Sequence, residues 1–415
     1  MAEKVVLAYS GGLDTSVAVA WLKERGWEVV ALTVDLGEKK DLAAIQERAL
    51  EIGAAAAYVV DARRPFVEQF VWPTLQAGAV YEKEYPLATA IGRPLIAALL
   101  VGVARREGAA AVAHGCTGKG NDQVRLDVAT AALAPDLRVV APVREWGMSR
   151  EDEIAYAAER GIPVPASVES PYSTDENLWG RSVEAGVLED PWQEPPAEVY
   201  AWTRPPEGCP PQPLHLEIGF EEGLPVSLDG REMDGPDLVA ELNRVGGEHG
   251  VGRVDHLENR LVGIKSREVY EAPAAVILVR AHQALEDITL TKEVARFKDG
   301  VAERWAQLVY DGLWFSPLRD ALGAFVAHTQ RHVRGEVRLK LYRGSVQVVG
   351  RKSPDQLYRL ELATYGRRDE FDQSAAAGFI SLWGLGLRTA AGIQGALGGV
   401  ELERLLGPDL KRLSP

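Results

Sequence analysis

The stretch Ala8-Tyr9-Ser10-Gly11-Gly12-Leu13-Asp14-Thr15-Ser16 joins a short apolar segment to a helical one. Residues 5–7 form a β-branched run bounded by turn residues, which predicts a buried strand of a parallel sheet. Residues 14–25 have the apolar spacing of a helix that ends at Gly26. The free amides at the start of that helix and the hydroxyl groups beside them would together cradle an anion. The stretch therefore predicts a phosphate-binding turn between a strand and a helix.

Two familiar phosphate-binding motifs are excluded by the spacing in this stretch. The G-x-x-x-x-G-K-[ST] pattern and its lysine are absent, and so is the dinucleotide pattern G-x-G-x-x-G. Gly11 and Gly12 allow a sharp turn and a close approach of the backbone to a ligand. A plain tight turn without a ligand is the structural alternative.

Length and composition limit the protein class. The chain has 415 residues, a formal net charge of −14, 46% hydrophobic residues and two cysteines without a CxxC pattern. This length predicts two domains, and the acidic balance argues against a broad nucleic-acid footprint. The cysteine count argues against a disulfide framework or a cysteine-rich metal site, and the histidines show no metal-ligand spacing. We see no signal peptide and no membrane span, so we expect a cytoplasmic protein.

Strand and helix patterns alternate through the first 160 residues. Alternation of this kind predicts an α/β domain with a parallel sheet, whose ligands lie at the carboxyl ends of the strands. The loops after residues 5–7 and 111–113 both leave such ends and could face one another. Further strands are predicted at 28–34, 56–60, 111–113 and 138–140, with helices at 42–52, 65–75, 94–106, 121–133 and 150–160.

Composition changes near the prolines at positions 163 and 165, which we interpret as a domain boundary. The predicted organisation is a nucleotide-binding domain at 1–165, an α+β synthetase domain at 166–378 and a C-terminal oligomerisation tail at 379–415. A proline-rich stretch at 191–213 reads as a fixed surface connection. In the second domain we predict strands at 214–220, 275–278, 334–342 and 345–351 and helices at 236–245, 291–311 and 316–332. For the end of the tail, two alternatives stay open: a helix at 401–406 that serves the oligomer, or partial disorder.

A second dense polar segment, His114-Gly115-Cys116-Thr117-Gly118-Lys119-Gly120-Asn121-Asp122-Gln123-Val124-Arg125, follows the predicted strand at 111–113. One interpretation is a helix entry with Asn121 or Asp122 as its cap and the remaining charges in solvent. The other is a binding site, since the segment combines an amide, a carboxylate and two basic side chains with three glycines. We expect His114 to be a hydrogen-bonding residue rather than a metal ligand, and Cys116 to be a small loop residue rather than a nucleophile.

The ordered string Ser-Gly-Gly-Leu-Asp-Thr-Ser resembles the pyrophosphate-binding loop of N-type ATP pyrophosphatases. With the rest of the chain, from Lys4 to about Phe379, it resembles the argininosuccinate synthase family. Five segments in order carry the resemblance: Ala8–Ser16, Gly78-Ala79-Val80-Tyr81-Glu82 with Thr89 and Arg93-Pro94, His114–Arg125, Ser170-Pro171-Tyr172-Ser173 with Leu188-Glu189-Asp190-Pro191, and the segment 250–270.

The resemblance implies a nucleotide-binding domain of the adenine nucleotide α-hydrolase type, ATP as substrate and Mg²⁺ near Asp14. It implies ATP contacts at Ala8, Tyr9, Ser10, Gly11, Gly12, Leu13, Asp14, Thr15, Ser16, Val34 and Gly115. Aspartate contacts are implied at Thr117, Asn121 and Asp122, and citrulline contacts at Tyr85, Ala90, Asn121, Arg125, Ser173, Ser182, Glu258 and Tyr270. Asp14, Asp122 and Arg125 are the catalytic candidates, and no protein-bound metal site is expected beyond the nucleotide's magnesium.

The resemblance also implies a reaction. Citrulline would attack the α-phosphorus of ATP to give a citrullyl-adenylate and pyrophosphate, and aspartate would then displace AMP to give argininosuccinate. A homotetramer without nucleic-acid or membrane partners is implied as well. Two alternatives stay open from the residues: another ATP pyrophosphatase that adenylates a different acceptor, and a nucleotide-binding regulator without turnover.

Three positions depart from the family's pattern. Ala90 stands where the family usually has a serine after Thr89, which predicts one missing hydroxyl contact to citrulline. Val34 stands where the family usually has a small residue, although a backbone contact would survive that change. The glycine-rich tail beyond Phe379 is also unlike the family's closing helix.

Overall fold

The computed structural model describes residues 2–163 and 171–395. The chain divides into two compact units, residues 1–357 and residues 358–415. The predicted boundary at 165/166 lies outside the described residues and stays a prediction, as does the division into three domains. So does the predicted tail helix at 401–406, which also lies outside them.

A parallel sheet of five strands opens the described part of the chain, as predicted. Its strands stand in the order β3-β2-β1-β4-β5, and each neighbouring pair is parallel. The chain adds β2 and β3 on one side of β1 and then returns to add β4 and β5 on the other. Because the strand order reverses between β1 and β4, the loops that follow these two strands diverge and leave a crevice at the carboxyl ends of the strands. The strands are β1 (Lys4–Ala8), β2 (Glu28–Asp35), β3 (Ala56–Asp61), β4 (Ala111–Ala113) and β5 (Arg138–Val140).

The helices between these strands begin largely where the sequence predicts. The Asp41 carboxylate accepts a hydrogen bond from the amide of Ala44 at 3.0 Å and caps α2. Ser149 and Asp152 form the predicted capping box of α8. The predicted helix at 65–75 is a composite of α3, a π-helical segment Val67–Val71 and α4. The helices are α1 (Leu13–Glu24), α2 (Leu42–Ile52), α3 (Arg63–Phe66), α4 (Trp72–Ala77), α5 (Gly92–Glu107), α6 (Asp122–Leu133), α7 (Pro142–Trp146) and α8 (Arg150–Glu159).

Two antiparallel sheets follow, which confirms the mixed second half of the fold. One has the order β11-β12-β7-β6 and the other the order β10-β9-β8-β13-β14. Sequence patterns predicted β8, β13 and β14 but missed β9 and β10 and the whole first sheet, whose strands are short and rich in charged residues. The strands are β6 (Ser173–Asn177), β7 (Gly180–Glu184), β8 (Leu214–Glu221), β9 (Leu224–Leu228), β10 (Arg231–Glu232), β11 (Arg253–Asn259), β12 (Lys265–Glu271), β13 (Gly335–Tyr342) and β14 (Ser345–Lys352).

The predicted strand at 275–278 is wrong, because these residues lie inside a helix. A short apolar run fits a buried strand and a buried helix equally well. Here the apolar spacing continues through Ala281 and Leu285, which are fully buried, and so gives a helical face. The helices of this half are α9 (Gly235–Glu248), α10 (Pro273–Thr289), α11 (Lys292–Tyr310) and α12 (Pro317–Gln330).

The largest hydrophobic core of the first unit includes residues from both halves of the sequence. Phe66, Trp72 and Leu75 from the N-terminal half pack in one buried cluster with Leu278 and Trp305. The parallel sheet has its own smaller cores on its two faces. The segment 62–95 therefore belongs to the core of the antiparallel half, although it lies between β3 and β4 in sequence.

The second unit, as far as residue 395, carries α13 (Leu360–Ala363), α14 (Ala375–Trp383) and α15 (Leu385–Gln394). Large apolar side chains lie open along the last two helices, among them Phe379, Trp383 and Leu387. Within the described residues, no single helix has the length and apolar composition to span a membrane, and the bent pair α14 and α15 meets that test only when taken together.

A buried carboxylate fixes the path of the proline-rich connection. Glu271, at the end of β12, has no exposed surface. Its oxygens accept hydrogen bonds from the amides of Ala201, Trp202 and Thr203, from the Thr203 hydroxyl and from Arg181, at 2.7 to 3.0 Å. A buried charge is tolerated where such donors satisfy it.

We expect Glu271→Ala to lower the free energy of unfolding by about 3–5 kcal/mol, since it removes the shared acceptor of three amides and the Thr203 hydroxyl and takes from the largely buried Arg181 its closest carboxylate. Urea denaturation followed by tryptophan fluorescence measures this. Glu248→Ala, at the C-terminal end of α9, breaks only a half-exposed ion pair with Arg244; it is the matched control and should leave the midpoint nearly in place. Equal midpoints for the two variants would contradict the role given to Glu271.

Candidate active site

The loops that leave β1 and β4 line two joined cavities at the carboxyl ends of the parallel strands. We call the first the loop cavity, of about 320 Å³, which is lined by residues 8–15 except Gly11 and by the end of β2. The second, the sheet cavity of about 660 Å³, extends to the four-stranded antiparallel sheet. Asp14, Arg93, Gly115 and Asp122 line both cavities. The two predicted polar segments therefore meet, as the strand order requires.

The loop cavity is built for a close approach by an anion. Gly12 precedes α1 and gives it no side-chain cap, so the first-turn amides are not taken by a cap. Ser10 and Thr15 share a hydrogen bond of 3.1 Å between their hydroxyl oxygens. Across the cavity, a Cβ added to Gly115 would lie 3.0 Å from the Thr15 methyl group. A side chain at position 115 would press against the turn.

Two predicted site residues do not line either cavity. The Ser16 hydroxyl lies 3.1 Å from the Tyr9 hydroxyl in the buried body of the fold. Ala90 is fully buried, and its amide donates to the Tyr85 hydroxyl at 3.1 Å. The structure thus puts Ala90 behind Tyr85 and outside the lining of both cavities.

The sheet cavity brings together predicted residues from distant parts of the chain. Asn121 donates to the Tyr310 hydroxyl at 2.8 Å and accepts from the amide of Leu261 at 2.9 Å. Asn121 occupies the N-cap position of α6, as one interpretation predicts, but its side chain makes no capping hydrogen bond there. The predicted residues that line this cavity are Tyr85, Thr117, Asn121, Asp122, Arg125, Ser173, Ser182, Glu258 and Tyr270.

Arg125 keeps one donor available in this cavity. Its Nε donates to the carbonyl of Tyr310 at 2.9 Å, and Nη1 donates to Asp122 at 2.9 Å. Nη2 is buried without a hydrogen-bond partner in the described part of the chain. A carboxylate entering the cavity could take that donor in a charge-assisted hydrogen bond.

Arg93 is the principal site residue that sequence reasoning left without a role. Its Nη2 donates to Asp122 at 2.7 Å and also to Asp175 of β6. Burial opposes ionisation of Asp122, but the charges of Arg93 and Arg125 outweigh it and hold the pKa of that carboxyl below its usual range. The sequence did carry a signal for this residue. The Arg93-Pro94 pair is in one of the five segments that carry the family resemblance, and it lies at the start of α5.

Sequence reasoning also missed other residues that line the cavities or lie directly behind them. Lys40 lines both cavities, and Arg48 donates to the carbonyl of Gly11 at 2.8 Å. Glu153 of α8 is buried beside Asp14; burial first, and then the charge of Asp14, raises the pKa of Glu153 to about 8. Thr89, Glu184, Arg260 and Glu268 also line the sheet cavity.

His114 and Cys116 behave as expected. His114 Nε2 lies 2.7 Å from Asp127, in a hydrogen bond rather than among metal ligands. Burial raises the pKa of the Cys116 thiol to about 12, which keeps it protonated and unreactive. Among the described residues no group of three or more His, Cys, Asp or Glu side chains could hold a metal ion.

Comparison with known proteins identifies the family. Residues 4–163 match the Arginosuccinate synthase N-terminal HUP domain, and residues 172–390 match the Arginosuccinate synthase C-terminal domain. The chain belongs to the argininosuccinate synthase family. Members of this family are ATP-dependent ligases of arginine biosynthesis that join citrulline and aspartate.

Curated relatives share most of their length with this chain. The argininosuccinate synthase of Dehalococcoides mccartyi is 57% identical over 95% of this chain and 97% of its own length. That of Oceanobacillus iheyensis is 55% identical over 97% of both chains. That of Rubrobacter xylanophilus is 59% identical over 93% of this chain and 94% of its own. The sequence similarity to this family therefore extends over the residues that line the site in both halves of the chain.

We expect Arg93→Met to abolish most argininosuccinate synthase activity, at least about 100-fold, because the charge between Asp122 and Asp175 is lost where the two cavities meet. Since both carboxylates are about one-third exposed, the free energy of unfolding should fall by only about 1–3 kcal/mol. Turnover assays and urea denaturation measure the two effects. Arg105→Met, which breaks the exposed pair with Asp136, should change neither, and equal losses in both variants would contradict the role of Arg93.

Proposed function

We propose that the loop cavity binds ATP and the sheet cavity binds citrulline and aspartate, so that citrulline is adenylated where the cavities meet. The observation that carries this assignment is the junction itself. Asp14 from the phosphate loop and Asp122 from the second polar segment line both cavities. A nucleotide with its phosphates against the loop would present the α-phosphorus to a molecule in the sheet cavity.

Residues 8–15 would hold the phosphates through backbone amides and hydroxyl groups, and Ser16 would support them through Tyr9. Val34 lines the loop cavity from the end of β2, where its backbone would lie beside the nucleoside. Gly115 would close the other side without a Cβ in the way. Fixed donors of this kind stabilise the charge that develops on the leaving pyrophosphate.

Mg²⁺ would be held by the carboxylate of Asp14 together with the phosphate oxygens, with Glu153 close behind it. One or two carboxylates plus phosphates is the ligand set that Mg²⁺ usually takes from proteins. When bound, the ion would neutralise phosphate charge and favour departure of pyrophosphate. The residues at the site fit this group, since carboxylate and hydroxyl oxygens dominate the loop.

Citrulline would be held by Arg125, Ser173, Ser182, Glu258 and Tyr270, with Tyr85 packed beside them. The available Nη2 of Arg125 suits a carboxylate, and Glu258 suits an ammonium or ureido group. Aspartate would be held by Thr117, Asn121 and Asp122, at the junction with the loop cavity. Both amino acids would then flank the α-phosphate, and proximity would supply much of the rate.

The reaction would take two displacement steps. The ureido oxygen of citrulline attacks the α-phosphorus, a P–O bond forms, and the bond to the bridging oxygen breaks as pyrophosphate leaves. The amino group of aspartate then attacks the ureido carbon, the C–O bond to AMP breaks, and the nitrogen loses a proton. Arg93 and Arg125 would keep Asp122 ionised throughout, so its charge can orient the incoming ammonium before that proton is lost.

Pyrophosphate release from Mg·ATP, measured with citrulline alone, aspartate alone and both, tests this function. We expect a single-turnover burst with citrulline alone and steady turnover only with both amino acids. Release with neither amino acid but with another acceptor would favour a different ATP pyrophosphatase. Nucleotide binding without release under every condition would favour a regulator without turnover.

The assignment of aspartate to Asp122 predicts a step-specific defect. Asp122→Asn should slow argininosuccinate formation by roughly 10- to 100-fold more than it slows the citrulline-dependent burst, because the lost charge orients the second nucleophile. Rapid-quench measurement of both products in one reaction gives the ratio. Thr117→Val, at the same subsite, should shift the ratio in the same direction. Equal slowing of both steps would assign Asp122 to ATP or to the fold.

We further propose that the protein is a cytoplasmic homotetramer whose contacts include the exposed apolar residues of α14 and α15. Apolar patches of this kind commonly mark association surfaces. Light scattering should report a tetramer for the full chain and smaller species after truncation at Phe379. Trp383→Ser is a milder companion variant. A full-length monomer at working concentration would overturn the proposal.

A further inference from the structure

Three carboxylates crowd the part of the sheet cavity formed by the antiparallel strands. Glu184 comes from β7, Glu258 from β11 and Glu268 from β12, and all three line the cavity. Arg260, which follows β11, donates through Nη2 to Glu184 and lies 3.2 Å from Glu268. With every group ionised, this carboxylate cluster would carry two more negative charges than positive ones.

The hydrogen bonds of Tyr270 distinguish two of the carboxylates. Its hydroxyl oxygen lies 2.7 Å from Glu258 and 2.9 Å from Glu268. A phenol has one hydrogen, so it can donate to only one of them. Glu258 has the shorter contact with Tyr270 and accepts from the Tyr310 hydroxyl through its other oxygen at 2.5 Å, so we assign the Tyr270 hydrogen to Glu258. The contact of Glu268 with Tyr270 is then a hydrogen bond only when Glu268 carries a proton and donates it to the phenol oxygen.

The surroundings of Glu268 agree with that assignment. Burial, followed by the charges of Glu258 and Glu184, raises the pKa of Glu268 to about 8, while the contacts with Tyr270 and Arg260 act against the shift. The ring of Tyr85 stacks on that of Tyr270 at 4.1 Å between centroids, and both rings are buried. The Nε of Arg260 is buried without a hydrogen-bond partner among the described residues. Arg260 therefore reaches both Glu184 and Glu268 through Nη2, while its Nε pairs with neither.

We propose that Glu268 recognises the α-ammonium group of the amino acid bound in the sheet cavity, and that it is protonated in the empty site and ionised in the occupied one. This rests on the proposed function, which puts citrulline in that cavity. On binding, the O–H bond of Glu268 breaks, its proton passes to the buffer, and the incoming ammonium replaces the lost positive charge. No electrons are exchanged.

Linkage fixes the sign of the pH dependence. A binding event that releases a proton is favoured as pH rises until the free group has already ionised. Citrulline affinity should therefore increase by up to about tenfold per pH unit between pH 6 and 7, and level off above about pH 8. Glu268→Gln cannot release a proton, so its affinity should vary little over the same range.

Calorimetry of the full-length protein tests the proposal directly. The protein is saturated with the α,β-methylene analogue of ATP, which cannot release pyrophosphate, and citrulline is titrated in phosphate and in Tris at pH 7.0. The difference in observed heat gives the number of protons released. We expect nearly one proton for the unmodified chain and nearly none for Glu268→Gln. Glu176→Gln, on β6 of the same sheet but outside the cavity, should behave as the unmodified chain.

A second ligand separates the ammonium from the rest of the molecule. 5-Ureidopentanoate lacks the α-amino group, and its binding should release no proton in either protein. Citrulline binding without proton release in the unmodified chain would overturn the role of Glu268 even if the glutamine variant failed to fold. Equal release with 5-ureidopentanoate would overturn ammonium recognition. Absence of any citrulline binding would instead contradict the proposed function.

Discussion

The ion pairs of Arg93 with Asp122 and Asp175 are the interaction on which the rest of the site depends. Asp122 is the first residue of α6, in the half of the fold that contains the parallel sheet, and Asp175 lies on β6 of the four-stranded antiparallel sheet. The guanidinium of Arg93 therefore joins the two halves. It also lies between the loop cavity and the sheet cavity. Without a cation between them, two partly buried carboxylates would repel each other where the cavities meet.

Beyond Arg93, a buried polar network links Glu258, Asn121 and Tyr310. Glu258 accepts from two phenols, Asn121 bridges Tyr310 and the amide of Leu261, and the Tyr310 ring stacks on Tyr81 at 3.6 Å between centroids. Such networks hold side chains in one arrangement, because any rotation leaves a buried polar group without a partner. A site organised in this way needs little rearrangement when substrates bind.

Backbone packing supports the same network. Gly312 has a φ of +78°, and a Cβ there would lie 2.9 Å from the Cα of Arg125. A residue with a side chain would both strain the turn after α11 and push α6 away. The segment that follows Tyr310 thus approaches Arg125 closely enough for the Tyr310 carbonyl to accept from its Nε. The antiparallel half therefore sets the position of a guanidinium that belongs to the parallel half.

The sequence by itself determined the parallel sheet, the phosphate loop and the segment 114–125, because turn chemistry and strand–helix alternation are written in neighbouring residues. It also carried the family motifs. Only the tertiary structure decided that 275–278 is helical, that Ala90 lies behind Tyr85, and that Arg93, Tyr310 and Glu268 belong to the site. Their partners are remote: Arg93 and Asp175 are 82 positions apart, and Asn121 and Tyr310 are 189 apart. The charged strands of the four-stranded sheet show no apolar alternation, because polar side chains such as Glu184 and Glu258 line the cavity and others such as Arg267 and Glu271 pair outside it. Chain folding alone brings such groups within hydrogen-bonding distance.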